Sequence, residues 1–482
     1  MDLGELTGDG ALAGTMVSDL VYSSRDARPG CLFFCVSGFS ADGHDFAGAA
    51  VEQGAVALVC ERPLGLGVPE LVVSDVRAAM PALAAKFFGN PSAELRVAGI
   101  TGTNGKTTVA YLLRQILEAC ALQCAVIGTV EWVVGGVATP AVRTTPEAID
   151  LQRAMRAMLA AGDEVLAIEV SSHALELGRA DAVQFALAVF TNLSQDHLDF
   201  HPSLEAYFAA KRKLFESATG PCIVNIDDPY GRQLAADFSA VTYSAAGAEA
   251  DFRATGIAFD ARGTSFTLHA PDGEHAVTMQ LPGAYNVANA LAAVASAVSL
   301  GVGTGATCAA LADCKGAPGR FELVEGAEDF TVVVDYAHTP DSVDSVLAAA
   351  AALPHTRLIG VLGAGGDRDR SKRPLMGAAA ARHCDLLYIT SDNPRSEDPA
   401  TIVAAVRAGA DEVAAGRDVE VFSEVDRQLA IEAAVGAAGA GDIIVIAGKG
   451  HEQGQEFADG KKLPFDDVAV ARGALGKRVG RG

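Results

Sequence analysis

The chain has few basic residues and few aromatic residues, and it has no long hydrophobic run. Its 37 Lys and Arg residues are outnumbered by 60 Asp and Glu, which gives a formal net charge of −23 at pH 7. A surface of this sign repels phosphate backbones and anionic lipid, so neither nucleic-acid binding nor membrane binding is expected. The longest uncharged stretch surrounds Ala290 to Leu300. It predicts a buried helix, because a bilayer span needs about 20 apolar residues.

The sequence also lacks the marks of export and of a zinc or redox cysteine motif. The first five residues, MDLGE, carry acids where a signal peptide has basic residues followed by an apolar segment. The nine cysteines are scattered, and spacings such as Cys31 to Cys35 match neither a zinc ribbon nor a CxxC pair. We therefore expect a cytoplasmic protein with reduced, mostly buried thiols.

Half of the residues are apolar and 20% are charged, a balance typical of a folded chain. A length of 482 residues suggests roughly three domains at about 150 residues each. Turn-forming residues near Gly89-Asn90-Pro91 and Ala317-Pro318-Gly319 predict domains at 1–91, 92–318 and 319–482.

Short β-branched runs alternate with long Ala- and Leu-rich stretches, a pattern that predicts an α/β fold with parallel sheets covered by helices. The predicted strands are Leu95 to Ile100, Val165 to Val170, Ala186 to Phe190, Cys222 to Asn225, Thr331 to Asp335, Arg357 to Leu362, Leu386 to Thr390 and Asp442 to Ile446. Open α/β sheets bind ligands beyond the carboxyl ends of their strands, so the polar segments that follow these strands are the candidate sites.

A phosphate-binding loop follows the first of these strands. The segment runs Gly102, Thr103, Asn104, Gly105, Lys106, Thr107, Thr108 and continues into a helix with one apolar face. Its backbone N–H groups, the helix N-terminus and Lys106 suit phosphate oxygens, and a Thr hydroxyl can reach Mg²⁺. The usual spacing places glycine where this chain has Ile100, so the loop is a variant. A plain tight turn is the alternative.

Two further strand ends carry candidate ligands. Glu169 closes one strand and is our first choice for an Mg²⁺ carboxylate, while a helix cap is the alternative. His197 and His201 lie four residues apart after the next strand, but no glutamate completes a zinc motif. A Gly-rich segment, Gly363 to Gly366, lacks the third glycine of a dinucleotide fingerprint and instead predicts a turn that presents Asp367 and Arg368.

Several motifs occur in one order along nearly the whole chain. They are Ser24-Arg25, Asp42-Gly43-His44, the phosphate loop, Glu169 to His173, Thr191-Asn192-Leu193, Asp196 to Asp199, Tyr207 to Phe215, Asp335 to Pro340 and Gly448 to Glu452. In these motifs the chain resembles the Mur ligase family, and within it the ligases that add the third peptide residue in peptidoglycan synthesis. The resemblance implies a three-domain α/β architecture with a central P-loop ATPase domain and a C-terminal Rossmann-like domain.

The resemblance also implies a reaction. ATP would phosphorylate the D-glutamyl carboxylate of UDP-N-acetylmuramoyl-L-alanyl-D-glutamate, and an amino acid's amine would displace phosphate to form an amide. The domains would hold, in chain order, the UDP group, ATP and the amino acid. The partners implied are small molecules only, with ATP as co-substrate and Mg²⁺ as cofactor, and we expect a monomer.

By the same resemblance, Lys106, Glu169, His197 and Lys211 carry the chemistry. Lys106 would touch the β- and γ-phosphates, Thr107 and Glu169 one Mg²⁺, and His197 a second. Lys211 would be carbamylated and would support Mg²⁺, although the residues alone suggest only a solvated helix face. Further nucleotide contacts are implied at Gly102 to Thr108, Asn286, Asn289, Arg320, Asp335 and His338. Contacts with the UDP-dipeptide are implied at Ser24, Phe39, Ser40, Ala41, Thr144, Thr145, Ser171 and Arg179.

The segment Asp392-Asn393-Pro394-Arg395 resembles the recognition motif of family members that add meso-diaminopimelate. This amino acid differs from lysine by a distal carboxylate, which a guanidinium can pair through two hydrogen bonds. Arg395 is therefore the expected discriminating residue, and Arg368, Gly448 and Glu452 match further amino-acid contacts. We also expect a proline turn here, with Asp392 capping the following helix.

One residue departs from the family pattern. Ser23 stands where relatives often have Asp, next to Ser24.

Three other functions remain open. The alternatives are a lysine-adding Mur ligase, the more remote folylpolyglutamate synthetase, and a non-catalytic P-loop switch or scaffold. Amino-acid-dependent phosphate release would separate them.

Overall fold

A computed structural model describes residues 1–38, 41–260, 263–327 and 329–479. The chain divides into two compact units. The first comprises Met1–Thr101, Leu122–Ala188 and Ala210–Pro221, and the second comprises Gly102–Ala121, Val189–Ala209 and the chain from Cys222 onwards.

The helices are α1 Leu3–Thr7, α2 Ala47–Glu52, α3 Val76–Phe87, α4 Lys106–Ala119, α5 Ala148–Ala161, α6 Ser172–Glu176, α7 Leu204–Ser217, α8 Pro229–Asp237, α9 Ala284–Ser299, α10 Thr304–Leu311, α11 Pro340–Ala351, α12 Lys372–His383, α13 Pro399–Ala414, α14 Arg427–Ala437 and α15 Asp467–Val479. Acidic side chains accept N–H bonds at the starts of several of them, for example Asp228 at α8 and Asp426 at α14. These bonds satisfy first-turn donors that have no partner within the helix.

The strands are β1 Asp19–Val21, β2 Cys31–Phe34, β3 Ala57–Cys60, β4 Glu70–Val72, β5 Arg96–Thr101, β6 Cys124–Ile127, β7 Glu131–Val134, β8 Val137–Pro140, β9 Val165–Glu169, β10 Phe185–Phe190, β11 Cys222–Asn225, β12 Ala240–Ser244, β13 Phe252–Asp260, β14 Gly263–Ala270, β15 Gly273–Met279, β16 Glu322–Leu323, β17 Thr331–Asp335, β18 Leu358–Ala364, β19 Leu386–Ser391, β20 Glu420–Ser423, β21 Ile443–Ala447, β22 Gly454–Glu456 and β23 Lys462–Pro464. All eight strands predicted from the sequence are confirmed, with ends that shift by at most two residues.

The first unit contains a four-stranded parallel sheet in the order β1-β2-β3-β4. It also contains β5-β9-β6-β7-β8 side by side, with β9 parallel to both β5 and β6. Helix α5 joins these parts, because Ala148 and Ile149 are buried in the same cluster as Leu3 and Phe34.

The second unit contains β11 to β15 and a six-stranded sheet in the order β16-β17-β21-β18-β19-β20. In the six-stranded sheet, the neighbouring strands β17, β21, β18, β19 and β20 pair in parallel, as predicted. The edge strand β16 pairs antiparallel with β17. Separate apolar clusters cover its two faces, one including Val343 and Val406 from helices and the other Ile431 and Leu475. The carboxyl ends of β17, β18, β19 and β21 therefore open at one edge, where polar segments follow.

The antiparallel ribbon β13-β14-β15 is a feature that the sequence analysis did not predict. The buried helix predicted around Ala290 to Leu300 is confirmed as α9, which packs on α4. In the described part of the chain no helix is long and apolar enough to cross a membrane. No disulfide joins the nine cysteines, all of which lie in the described ranges, and eight of them are buried, as expected.

Candidate active site

The predicted phosphate loop is confirmed as a strand-loop-helix element. Strand β5 ends at Thr101, and α4 begins at Lys106. Gly102 and Gly105 have φ of 147° and 87°, conformations that side chains other than glycine rarely adopt. A Cβ atom at Gly102 would collide with Thr191 Oγ1, and one at Gly105 would collide with Asn289 Oδ1. The loop is therefore both strained for other residues and closely packed.

The segment after β10 braces this loop through side chains and backbone. Asn104 N–H donates to Asn192 Oδ1 at 2.9 Å, and Thr191 Oγ1 donates to the Asn104 carbonyl at 2.6 Å. Thr103 N–H donates to the Asn192 carbonyl at 2.8 Å, and its hydroxyl accepts from Ser194 N–H at 3.0 Å. These hydrogen bonds hold the loop in its conformation.

Two cations lie at the loop. Lys106 Nζ donates to the carbonyls of Gly102 and Thr103 at 2.9 and 2.8 Å. From the start of the predicted C-terminal domain, Arg320 donates through Nη2 to Thr107 Oγ1 at 3.3 Å, and its guanidinium lies 4.4 Å from the centre of the Tyr336 ring. The structure thus brings together Lys106, Thr107 and Arg320.

Asn286 and Asn289 lie in the first two turns of α9 and are both buried. Asn286 Nδ2 donates to the Pro282 carbonyl at 2.8 Å, and Asn289 Nδ2 donates to Asn286 Oδ1 at 3.1 Å. Asn289 thereby lies next to Gly105 of the phosphate loop.

Asp335 braces a turn. Its two carboxylate oxygens accept from Phe321 N–H at 2.7 Å and Ala337 N–H at 2.8 Å. Burial raises the pKa of Asp335, although Arg320 and the two N–H donors oppose this shift. His338 Nδ1 is 2.8 Å from the Tyr336 carbonyl, and burial together with Lys372 lowers the pKa of His338. We therefore expect His338 to be neutral at pH 7.

Asp196 and His197 form a second polar pair in this unit. His197 Nε2 lies 3.5 Å from Asp196 Oδ2, and His197 has φ of 54°. Burial alone would raise the pKa of Asp196, but His197, His338 and Lys372 lower it to about 2. His201 is buried, with its ring centre 5.1 Å from that of Tyr207. In the described ranges no three His, Cys, Asp or Glu side chains group into a metal site.

In the first unit, Glu169 ends β9 and is buried. Its Oε1 accepts from Thr129 N–H at 2.8 Å, and its Oε2 accepts from the Thr129 hydroxyl at 3.0 Å. The Thr129 hydroxyl is also 3.1 Å from Thr144 Oγ1. Glu169 does not cap the next helix, because Ser171 is the N-cap of α6.

Predicted UDP-dipeptide residues gather beside Glu169. The Thr145 hydroxyl donates to the Glu169 carbonyl at 2.8 Å and accepts from Ser171 N–H at 3.0 Å. Arg179 Nη1 donates to the Thr145 carbonyl at 3.3 Å. Thr144, Thr145, Ser171 and Arg179 therefore lie together.

The other predicted UDP contacts are on the N-terminal segment. Ser24 opens a short 3₁₀ helix, whose cap is the Ser23 hydroxyl that accepts from Arg25 N–H at 3.3 Å. Ala41 is exposed. Phe39 and Ser40 lie outside the described residues.

Lys211 lies in α7 and is only 1% exposed. The sequence alone suggested a solvated helix face here, and that expectation is wrong for Lys211. Lys213, two residues along, does lie at the surface, where its Nζ pairs with Glu176 at 2.7 Å.

At the carboxyl ends of β19 and β21, three of the predicted amino-acid contacts converge on a fully buried lysine. Lys449 Nζ lies 3.3 Å from Asp392 Oδ1, 3.0 Å from Asn393 Oδ1 and 2.9 Å from Glu452 Oε2. Asn393 Nδ2 also donates to Glu452 Oε2 at 2.8 Å. Gly448, with φ of 120°, brings the backbone close to Asp392.

Arg395 is held at both its backbone and its side chain. Its Nε donates to Glu456 Oε2 at 3.1 Å, and its Nη1 donates to the Gly366 carbonyl at 2.7 Å. Those bonds use two of the five guanidinium N–H groups. The remaining three include donors on both terminal nitrogens, the edge that a carboxylate can bridge.

The Gly-rich segment after β18 supports this loop, as its turn prediction implied. Gly366 N–H donates to the Asn393 carbonyl at 2.9 Å, and Asp367 accepts from the Ser396 hydroxyl at 2.7 Å. Arg368 is exposed and donates to the Asp367 carbonyl at 3.1 Å.

The prediction that Asp392 caps the following helix is wrong. Helix α13 begins at Pro399, and its N-cap is Asp398, which accepts from the N–H groups of Ala400 and Thr401. Asp392 is too far upstream in the sequence to cap that helix, and its side chain faces Lys449 instead.

Sequence reasoning assigned no role to Lys449, Glu456, Thr129 or Glu147. Lys449 and Asn192 both lie in motifs that resemble the family. The two glycines that flank Lys449 could have drawn attention to this lysine. Thr129, Glu147 and Glu456 carry no motif, and only the folded chain shows which charged or polar group each contacts.

Three family models match the chain. They are the Mur ligase family catalytic domain at residues 17–88, the Mur ligase middle domain at 100–297 and the Mur ligase glutamate ligase domain at 319–450. Curated relatives are named UDP-N-acetylmuramoyl-L-alanyl-D-glutamate–2,6-diaminopimelate ligase. The one from Syntrophomonas wolfei is 44% identical, covering 96% of this chain and 95% of its own length, and the one from Streptomyces coelicolor is 46% identical, covering 96% and 93%.

Solved structures agree with these matches. A ligase with that same name aligns with a TM-score of 0.71 and 34% identity, covering 99% of each chain. A MurF ligase from Acinetobacter baumannii aligns with a TM-score of 0.69 and 21% identity over 92% of this chain and 94% of its own, which shows the shared fold. With its three-domain α/β fold and its phosphate loop, the chain belongs to the Mur ligase family.

Proposed function

We propose that this Mur ligase adds meso-diaminopimelate to UDP-N-acetylmuramoyl-L-alanyl-D-glutamate at the expense of ATP. The D-glutamyl carboxylate attacks the γ-phosphorus of ATP, which gives an acyl phosphate and ADP. The amine of the amino acid then attacks the acyl carbon, phosphate leaves, and an amide bond forms. Full-length relatives that carry this activity in their names support the proposal.

For the nucleotide, we assign the phosphates to the loop from Gly102 to Thr108. Lys106 and Arg320 both contact this loop, and positive groups held there would stabilise the negative charge that moves during transfer. Asn286 and Asn289 would support the adenine side, and Asp335 and His338 would hold the Tyr336 turn next to Arg320.

Mg²⁺ prefers oxygen ligands, so we assign the Thr107 hydroxyl and the Glu169 carboxylate as ligands that would serve it, and His197 as a residue that would serve a second ion. When bound, the metal would neutralise phosphate charge. Thr129 donates to both carboxylate oxygens of Glu169 and so fixes its orientation. A fixed orientation suits a carboxylate that would present a lone pair to a metal ion.

We propose that Lys211 is carbamylated. Burial penalises the charged ammonium of lysine, and the neutral amine is the form that adds CO₂. Its 1% exposure supports this assignment, because a buried carbamate would be protected from water. The product is an anion that can support Mg²⁺.

We assign the UDP-dipeptide to Ser24, Phe39, Ser40, Ala41, Thr144, Thr145, Ser171 and Arg179. The domains at 1–91, 92–318 and 319–482 would then carry the UDP, ATP and amino-acid sites. The family-model matches at 17–88, 100–297 and 319–450 support these boundaries.

The single observation that carries the choice of amino acid is the anchored Arg395 side chain. Glu456 and Gly366 hold it while both terminal nitrogens keep donors for a carboxylate. Lysine has no distal carboxylate and would place an ammonium beside this guanidinium. Glu452, fixed through Oε2 by Lys449 and Asn393, suits the ammonium of the substrate, and Arg368 suits its other carboxylate.

The test is phosphate release with UDP-N-acetylmuramoyl-L-alanyl-D-glutamate and ATP, comparing meso-diaminopimelate with lysine. We expect release that depends on meso-diaminopimelate and is lost in Lys106→Ala at an unchanged melting temperature. The surface variant Lys477→Ala is the control. Equal or faster release with lysine would identify a lysine-adding ligase. Release that depends on neither amino acid would identify a nucleotide switch.

A further inference from the structure

Glu147 is a nearly buried carboxylate that three arginines share, all within the first unit. Its side chain is 6% exposed. Arg77 Nη1 donates to Oε2 at 3.0 Å, Arg143 Nη1 donates to Oε1 at 2.8 Å, and Arg179 Nη2 lies 3.0 Å from Oε1. Arg77 comes from α3, Arg143 from the segment before α5, and Arg179 from the segment after α6.

This carboxylate is not a helix cap, although Glu147 is the N-cap residue of α5. Its side chain makes no bond to a helix N–H, and only its backbone carbonyl accepts, from Leu151 N–H at 2.9 Å. Acidic N-cap residues elsewhere in the chain, such as Asp398 and Asp426, turn their carboxylates onto their own helices. The Glu147 side chain therefore serves the arginines.

The charges around Arg179 show why the carboxylate matters. Burial lowers the pKa of Arg179, Glu147 opposes that shift, and Arg143 and Arg77 add to it. Without Glu147, three guanidinium groups would remain close together with no anion between them, and a partly buried cation would lose its counter-charge.

Arg179 has little else to hold it. Its Nη1 donates to the Thr145 carbonyl at 3.3 Å, and its buried Nε has no hydrogen-bond partner in the described part of the chain. The short contact with Glu147 is therefore the main constraint on the direction of the guanidinium.

We propose that Glu147 is a positioning residue for the UDP-dipeptide substrate and that it acts through Arg179. This inference rests on the proposed assignment of Arg179 to the dipeptide. Glu147 aims the guanidinium beside Thr145 and Ser171. Through Arg77, the same carboxylate links α3 of the N-terminal segment to these residues.

The test is Glu147→Gln, which keeps the shape and one acceptor but removes the charge. We expect the Kd for UDP-N-acetylmuramoyl-L-alanyl-D-glutamate, measured by calorimetry without ATP, to rise about tenfold or more. The KM for ATP, the KM for the amino acid and the kcat at saturation should change little. A merely structural role would lower the melting temperature and leave the Kd unchanged.

Four further variants complete the design. Glu94→Gln is the matched control, because Glu94 pairs with Arg156 at 3.5 Å and both side chains are more than half exposed. Arg179→Ala tests the underlying assignment and should also weaken binding. In the double variant Glu147→Gln/Arg179→Ala, the Kd should be almost the same as in Arg179→Ala alone. If Glu147→Gln does not fold, Glu147→Asp keeps the charge but retracts it by one methylene, and the Kd should still rise.

The outcomes separate the two claims. Weak binding in Arg179→Ala with normal binding in folded Glu147→Gln or Glu147→Asp overturns the inference and leaves the proposed function intact. Additive losses in the double variant also overturn it, since Glu147 would then act independently of Arg179. Unchanged binding in Arg179→Ala removes the assignment of Arg179 and the inference together.

Discussion

The buried Lys449 side chain holds three polar residues of the proposed amino-acid site in place. A lysine is seldom fully buried unless its ammonium is paired. Here the three acceptors are Asp392, Asn393 and Glu452, so all three of its N–H donors are directed at the proposed amino-acid site. The ammonium offsets two carboxylates and holds Glu452 by one oxygen, which leaves the other oxygen for the substrate.

Arg395 carries the prediction on specificity. Arg395→Ala should lower kcat/KM for meso-diaminopimelate by one to two decades, because a charge-assisted contact worth roughly 1.5 to 3 kcal/mol is lost. Lysine should be affected much less, and the KM for ATP should be nearly unchanged. The measurement is the ratio of kcat/KM for the two amino acids in both proteins.

Arg407→Ala is the control for Arg395, since Arg407 makes an exposed pair with Asp411 at 3.2 Å on α13. It should leave the ratio unchanged. A ratio that stays constant in Arg395→Ala would show that another residue selects the amino acid.

Lys211 carries a prediction on chemistry. Lys211→Ala should lower kcat by about two decades or more, because the proposed carbamate anion, and with it the support that it gives to Mg²⁺, would be lost. Added short carboxylic acids should restore part of the activity by supplying an anion in its place. The measurement is the rate against the concentration of the added acid.

Lys213→Ala is the matched control on the same helix, since Lys213 is a surface residue paired with Glu176. It should keep its activity and gain nothing from the acid. Full activity of Lys211→Ala without any acid would reject the carbamate.

The conformation of the phosphate loop depends on the segment after β10 as much as on the residues of the loop itself. The strand before the glycines and the helix that begins at the Lys106-Thr107 pair were predicted from the sequence and are present. The bracing by Thr191, Asn192 and Ser194 was not predicted, because these residues follow a different strand. Their contacts exist only once β10 has placed its carboxyl end beside the loop.

Two glycines of similar backbone conformation allow the effect of backbone strain to be measured apart from the effect of a steric clash. Gly105 has φ of 87° and lies against Asn289, whereas Gly301 has φ of 95° with open space around it. Gly301→Ala should lower the free energy of unfolding by about 1 kcal/mol through backbone strain alone. Gly105→Ala should lower it further and should also impair ATP binding, because Asn289 must move.

The measurements for the two glycine variants are urea unfolding and the Kd for ATP. Gly301→Ala should bind ATP normally. Equal losses of stability and normal ATP binding in both variants would show that the contact with Asn289 is unimportant.

Because the net charge is −23, lowering the pH has two opposing effects on the stability of the protein. Protonation relieves the general repulsion between carboxylates but also breaks particular ion pairs. Glu397 is such a case. Hydrogen bonds from Arg373 lower its pKa to about 2, and its side chain is 10% exposed.

A carboxyl group whose pKa is lowered by folding stabilises the protein above its unfolded pKa, and that contribution is lost as the pH falls through the folded value. For Glu397, with an ordinary pKa of 4.5, the loss should run from about pH 5 down to about pH 2. Glu397→Gln should therefore be less stable than the wild type at pH 7, by about 2 to 3 kcal/mol.

Urea unfolding at several pH values measures this difference between wild type and Glu397→Gln, and the subtraction cancels the general charge repulsion. The difference should shrink between about pH 5 and pH 3. Glu118→Gln, which removes a more exposed partner of Arg114 at 2.9 Å, should show a much smaller effect. A constant difference for Glu397→Gln would mean that its charge does not stabilise the fold.

Local patterns in the sequence predict the α/β class, eight parallel-sheet strands and the strand-loop-helix element of the phosphate loop, because strand and helix periodicity and glycine chemistry are local properties. Contacts that form on folding are needed to see that Lys211 is buried, that Asp392 faces Lys449 instead of a helix, and that Glu147 is shared by three arginines. Those outcomes depend on residues up to 70 positions apart in the chain, as with Arg77 and Glu147. Burial and charge pairing between such residues are set by how the elements pack, and no local pattern encodes them.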